Sequence, residues 1–124
     1  MYKKLMLDLD GYALSYDEID LLINSFVGGV ILFSRNIKSK SQVQALCKQI
    51  KSINSELLIA VDQEGGKVQR LKTGYTSLPS MHQLADECSK NNFANIDLAK
   101  DIGWLMASEV IASGLDISFA PVLD

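Results

Sequence analysis

Histidine, cysteine and proline are scarce in this 124-residue chain, with one His, two Cys and two Pro. Cys47 and Cys88 are too few and too far apart for a disulfide framework or a zinc knuckle. They read as free thiols that serve as small apolar side chains. No block of basic residues occurs. With 12 Lys and Arg against 15 Asp and Glu the formal charge is −3, so nothing supports nucleic acid or an anionic membrane as partner. The N-terminal MYKKLMLDLDG carries too short an apolar run for a signal-peptide core, and far too short a run to span a bilayer. Repeats, linkers and low-complexity segments are absent. The remainder, 48% hydrophobic and 22% charged, is an ordinary globular composition for one domain at most. A cytoplasmic protein without cofactor or metal is the simplest reading.

Strand and helix patterns alternate along the chain. KLMLDL (4–9) is a strand candidate, and Ser15 with Glu18 forms a capping box that opens the short helix DEIDLLINS. VGGVILF (27–33) is an uninterrupted apolar run, the mark of a strand buried on both faces. A helix is expected from Ser39 to Ile53, with Val43, Leu46, Ile50 and Ile53 at helical spacing and a Ser39/Gln42 capping box. LLIAVD (57–62) is a third buried strand, followed by an irregular piece from Gln63 to Pro79 and a short helix near Ser80–Cys88. A long helix runs from about Asn95 to Ser113, ended by Gly114. Leu98, Ile102, Leu105, Met106 and Ile111 make its expected core face, with Trp104 also assigned to the core. LDISFAPV (115–122) is the fourth strand.

This alternation is α/β and implies a parallel sheet covered by helices. A doubly wound open sheet and part of a (β/α)8 barrel both fit. A complete barrel needs about 250 residues, so the chain would hold the first half, about four strands. Its end at Asp124, straight after a strand, reads as truncation of a domain or as a half that must pair. Self-association through the open barrel edges is the partner such a half invites.

Polar groups collect where the strands end: Asp8 and Asp10, Ser34 to Asn36, Asp62 to Glu64, and Asp124. In parallel α/β folds ligands bind at that face. The richest end is IAVDQEGGKVQR (59–70). Gly65 and Gly66 free the backbone there for positive φ or close approach. A carboxylate and a guanidinium on one pocket suit a polyhydroxy ligand, one accepting and the other donating hydrogen bonds. Simpler roles compete. Asp62 could cap its loop, and Arg70 could merely pair with Glu64 or Asp62. Glu64 and Lys67 read as loop organisers. Arg35 could be a rim ion pair, Gly28 and Gly29 are suited to close packing, and His82 reads as solvated.

MLDLDGYAL (6–14) resembles the first motif of haloacid dehalogenase-type phosphatases, a strand ending in Asp-x-Asp-Gly-Thr. Tyr12 stands where threonine belongs, and no acidic pair ends a later strand. A phosphoacceptor receiver domain is a further alternative, with Asp62 as acceptor beside Asp8 and Asp10. It needs a fifth strand, and it leaves Arg70 and the paired glycines unexplained.

VDQEGGKVQRL, with GGVILFSRN upstream and DISFAPVLD downstream, closely resembles the N-terminal part of family 3 glycoside hydrolases, above all the bacterial cytosolic β-N-acetylhexosaminidases that recycle cell-wall fragments. The resemblance covers essentially the whole chain, 1–124. It implies a (β/α)8 barrel and a retaining mechanism with a glycosyl-enzyme intermediate. It also implies that Asp62 and Arg70 hold the hydroxyls of a terminal N-acetylglucosamine of peptidoglycan fragments. The family's aspartate nucleophile and acid/base histidine are expected beyond residue 124. His82, in PSMHQLAD, does not match the histidine loop, so no catalytic residue is assigned in this chain.

Overall fold

The apolar run at 27–33 forms strand β2 (Val27–Leu32), flanked in parallel by β1 (Leu5–Asp8) and β3 (Leu58–Val61). The computed structural model describes residues 4–90 and 95–122. A short strand, β6 (Ile117–Ser118), lies parallel to β3 on its far side. The sheet order is β1-β2-β3-β6, so each strand lies beside the one before it in this sheet. A doubly wound sheet reverses its strand order part-way. This one advances in a single direction, as the first four units of a (β/α)8 barrel do. The remaining elements are α1 (Tyr16–Ile23), a 3₁₀ turn (Ser34–Asn36), α2 (Lys40–Ile53), α3 (Met81–Ser89) and α4 (Ile96–Ala112). A small antiparallel hairpin, β4 (Gln63–Gly65) and β5 (Val68–Gln69), interrupts the segment expected to be irregular.

The two strands with a neighbour on each side, β2 and β3, bury most of their apolar residues, although Leu58 at the start of β3 is 51% exposed. Val30, Leu32, Ile59, Ala60 and Val61 are wholly buried, whereas Leu5 on the edge strand β1 is 52% exposed. Gly29 permits the close approach of β2 and β3, because a Cβ there would lie 2.8 Å from the Leu58 carbonyl oxygen. Close packing is therefore the observed role of this glycine.

Ser15 and Glu18 form the expected reciprocal capping box at α1. At α2 half of the expected box forms. Ser39 Oγ accepts the Gln42 N–H at 3.3 Å, but Gln42 Oε1 accepts from Lys38 N–H at 2.8 Å instead of returning to Ser39. The Gln42 amide group is drawn away because it donates to the Tyr12 and Asn36 carbonyls, bracing the loops above the sheet. The inward face of α2 is as expected, with Val43, Leu46 and Ile50 buried and Cys47 among them.

The face assigned to α4 is corrected. Among its described residues Val110 is the buried one, Met106 leans on the core, and Leu98, Ile111 and Trp104 are exposed, Trp104 by 73%. Apolar residues surround this helix, so periodicity does not select a face; docking does. Glu109 accepts the Thr76 N–H at 3.1 Å, and Ser113 Oγ meets Tyr75 Oη at 2.8 Å. The last strand is also shorter than expected, pairing with β3 at Ile117 and Ser118. Asp124 lies outside the described residues. Among the described residues no helix is long and apolar enough to cross a membrane.

Candidate functional site

Asp62 directly follows β3, and the residues after it are shaped by two buried glutamines. Gln63 keeps the inward parity of Ile59 and Val61, and it is 1% exposed. Its Oε1 accepts the main-chain N–H groups of Arg70 and Leu71, both at 3.0 Å, and its Nε2 donates to the Leu71 carbonyl at 3.3 Å. Gln69 donates to the Leu71 and Thr76 carbonyls at 2.9 and 2.8 Å and accepts the Leu78 N–H at 2.9 Å. A loop with this much irregular backbone needs such partners for its buried N–H and C=O groups.

Gly65 and Gly66 take positive φ, +89° and +59°. A Cβ on Gly65 would lie 2.1 Å from the Pro79 carbonyl oxygen, and Gly66 N–H donates to Leu78 O at 3.0 Å. The hairpin is thereby folded back against residues 78–80. Glu64 and Lys67 line a groove of about 840 Å3 with Ser80 and His82. His82 is solvated, as expected, and stands 3.5 Å from Asp86.

The folded loop brings Arg70 back to Asp62. Arg70 Nη2 lies 3.3 Å from Asp62 Oδ2, and the two side chains are 27% and 21% exposed. Of the two carboxylates open to Arg70 from the sequence, Asp62 is thus the partner. Arg70 Nε is buried and has no hydrogen-bond partner. Its guanidinium carbon lies 5.8 Å from the centroid of the Phe33 ring, and that of Arg35 lies 5.0 Å from the same ring.

A second set of contacts joins the ends of β1 and β2. Arg35 pairs with Asp8 and donates from Nε to the Leu9 carbonyl at 2.9 Å. Arg35 is thus the rim ion pair. Asn36, wholly buried, donates to the Leu9 and Gly11 carbonyls at 2.8 and 3.0 Å and accepts the Phe33 N–H at 2.9 Å. Asp10 joins through its main-chain N–H, which donates to Glu18 at 2.8 Å. Burial pushes the Glu18 carboxyl up, but hydrogen bonds from the Ser15 and Asp10 N–H groups and the Ser15 hydroxyl outweigh it and hold its pKa low.

The sheet order and these contacts support neither phosphoryl reading. A receiver sheet places its first strand between the second and third, whereas β1 lies at the edge. Among the described residues no three of His, Cys, Asp and Glu gather as a metal-holding group, so Asp8, Asp10 and Asp62 form no acidic cluster. Asp8 is occupied by Arg35.

Sequence reading missed Gln69 and Phe33, and it placed Asn36 and Gln63 at the strand ends without seeing that their buried side chains hold the loops together. Gln63 did carry a signal, since a polar residue at an inward strand position must find partners.

Residues 4–124 match the glycosyl hydrolase family 3 N-terminal domain. The chain is 49% identical over 124 residues to a β-hexosaminidase of Pseudomonas aeruginosa, covering 100% of this chain and 36% of that protein. To a Haemophilus influenzae β-hexosaminidase it is 45% identical over 121 residues, 97% of this chain and 34% of the other. Its fold matches NagZ from Neisseria gonorrhoeae, solved with N-trifluoroacetyl-D-glucosamine, at a TM-score of 0.90 and 39% identity, over 97% of this chain and 36% of that one. A family 3 β-N-acetylglucosaminidase from Paenibacillus matches at 0.83 and 34% identity, over 94% and 22%. The chain spans about a third of the length of the curated relatives it matches.

Proposed function

We propose a function on one premise: the chain belongs to glycosyl hydrolase family 3, whose N-terminal domain it matches. Residues 1–124 are the N-terminal part of that barrel domain and supply the sugar-binding part of a retaining exo-β-N-acetylglucosaminidase. Asp62 accepts hydrogen bonds from hydroxyls of a terminal N-acetylglucosamine, and Arg70 donates to them. The substrates are peptidoglycan fragments, met in the cytoplasm during cell-wall recycling. The aspartate nucleophile and the acid/base histidine of the retaining reaction lie outside residues 1–124. This segment therefore binds sugar weakly and hydrolyses nothing by itself.

The observation that carries this reading is the Asp62–Arg70 pair at the carboxyl end of β3, 3.3 Å apart and partly open to solvent. A longer, partly exposed ion pair retains lone pairs and N–H groups for a hydroxyl to engage. A relative of the same fold, solved with an N-acylated glucosamine, supports the ligand class. The outer edges of β1 and β6, which pair with no further strand among the described residues, are the surfaces for self-association.

Saturation-transfer NMR of the chain with N-acetylglucosamine tests the binding role. A response that disappears in Asp62→Ala is expected, with no hydrolysis of 4-nitrophenyl N-acetyl-β-D-glucosaminide. A response unchanged in Asp62→Ala, or Mg2+-dependent beryllofluoride binding at Asp62 or Asp8, would overturn it.

A further inference from the structure

Strand β6 pairs with β3 over two residues, Ile117 and Ser118, yet side chains fasten it to the third strand at both ends. At its start, Asp116 Oδ2 accepts hydrogen bonds from the Ile59 N–H at 2.8 Å and from Lys51 Nζ at 2.7 Å. At the ligand-facing end, the Ser118 hydroxyl accepts the Gln63 N–H at 3.0 Å and donates to the Gln63 carbonyl at 3.1 Å. One hydroxyl thus meets both main-chain polar groups of the residue that follows Asp62.

A peptide unit is planar, so holding its N–H or its carbonyl holds the whole plane. The plane before Asp62 contains the Val61 carbonyl, which accepts the Phe119 N–H at 2.9 Å. The plane after it contains the Gln63 N–H, which the Ser118 hydroxyl accepts. Consecutive residues, Ser118 and Phe119, therefore grip Asp62 from both sides and set its φ and ψ. Those dihedrals in turn decide which rotamers its side chain can take. The grip from Phe119 is main chain, whereas the grip from residue 118 needs a hydroxyl. Gln63 also reaches the other partner, since its Oε1 accepts the Arg70 N–H at 3.0 Å.

We infer that Ser118 is a positioning residue for sugar recognition: its hydroxyl fixes the main chain around Gln63, so that Asp62 and Arg70 meet at the end of β3. It does so from the neighbouring strand and need not touch the sugar. This inference deepens the binding role proposed for the Asp62–Arg70 pair and rests on it.

Three variants separate positioning from strand pairing. Ser118→Ala removes the hydroxyl, Ser118→Thr keeps one, and Asp116→Ala loosens β6 at the end away from the site. In the 15N-labelled chain, hydrogen exchange at the Gln63 amide should quicken roughly tenfold in Ser118→Ala while the Val30 amide keeps its rate. N-acetylglucosamine affinity should fall roughly tenfold in Ser118→Ala and recover in Ser118→Thr. In Asp116→Ala the affinity should hold although the chain unfolds at lower urea. Unchanged affinity in Ser118→Ala overturns the inference. So does an equal loss in Asp116→Ala, or exchange that quickens as much at Val30 as at Gln63, since either makes Ser118 a pairing residue only. A Gln63 amide that responds as expected in a chain that binds no sugar overturns the binding reading instead, and Ser118's part in recognition falls with it.

Discussion

Gln63 holds Arg70 by its main chain, the glutamine carbonyl accepting the Arg70 N–H at 3.0 Å from a side chain that is 1% exposed. The same oxygen takes the Leu71 N–H. Removing it would strand two N–H groups in a buried loop. Gln63→Ala should therefore lower stability by about 3 kcal/mol, read from urea unfolding, and should weaken sugar binding without touching either contact residue.

Arg70→Lys should not be conservative. A lysine lacks the planar fork that can face Asp62 and a hydroxyl together, and it stacks poorly on Phe33. Sugar affinity is expected to fall roughly tenfold or more by titration calorimetry, while the thermal midpoint moves little.

Two glycine replacements should act with opposite signs. Gly65→Ala forces a left-handed residue with a Cβ 2.1 Å from Pro79 O, and should cost about 2 kcal/mol or more. Gly103 lies in α4 with nothing within 4 Å of an added Cβ, so Gly103→Ala should stabilise by about 1 kcal/mol. Paired unfolding curves check both.

The depressed Glu18 carboxyl makes stability depend on acid. Its folded pKa lies below the ordinary 4.5, so the unfolded chain takes up the proton first as pH falls. The stabilisation is complete above about pH 4.5 and is lost as pH drops through the folded value. Unfolding midpoints from pH 7 downward should show Glu18→Gln less stable at neutral pH, with the gap closing in acid.

Cys47 should be chemically silent in the folded chain. Burial pushes its thiol up to about 12, the Asp116 carboxylate adds to the shift, and Lys51 opposes it. In a Cys88→Ser background, alkylation at pH 8 should follow unfolding. Because the thiol ionises at 9.0 when unfolded, its contribution to stability is whole below that pH and declines as pH rises from 9 toward 12.

Much of the frame was legible before any coordinates. The runs at 27–32 and 58–61 betray themselves because a parallel strand largely buried on both faces is apolar along most of its length. Ser15, Ser80 and Gly114 mark helix ends, since capping is a matter of a few neighbouring residues. Asp62 and Arg70 were legible as candidates for the same reason: a strand end and a glycine-freed turn are local features. The face of α4 was not legible, because a helix apolar on all sides is oriented by what it docks against. The hairpin at 63–69 was hidden too. Its stabilising partners are glutamine side chains, most of whose contacts reach main-chain groups seven to nine residues away.

The amino-acid sequence by itself determined the βα alternation, the capping residues and the charged loop after the third strand, because each depends on neighbours in the chain. Tertiary structure decided the winding direction of the sheet, the choice of Asp62 over Glu64 as partner of Arg70, and the place of Phe33 beneath two arginines. Those depend on which strand ends come together in space, and that is set when β1, β2 and β3 pair.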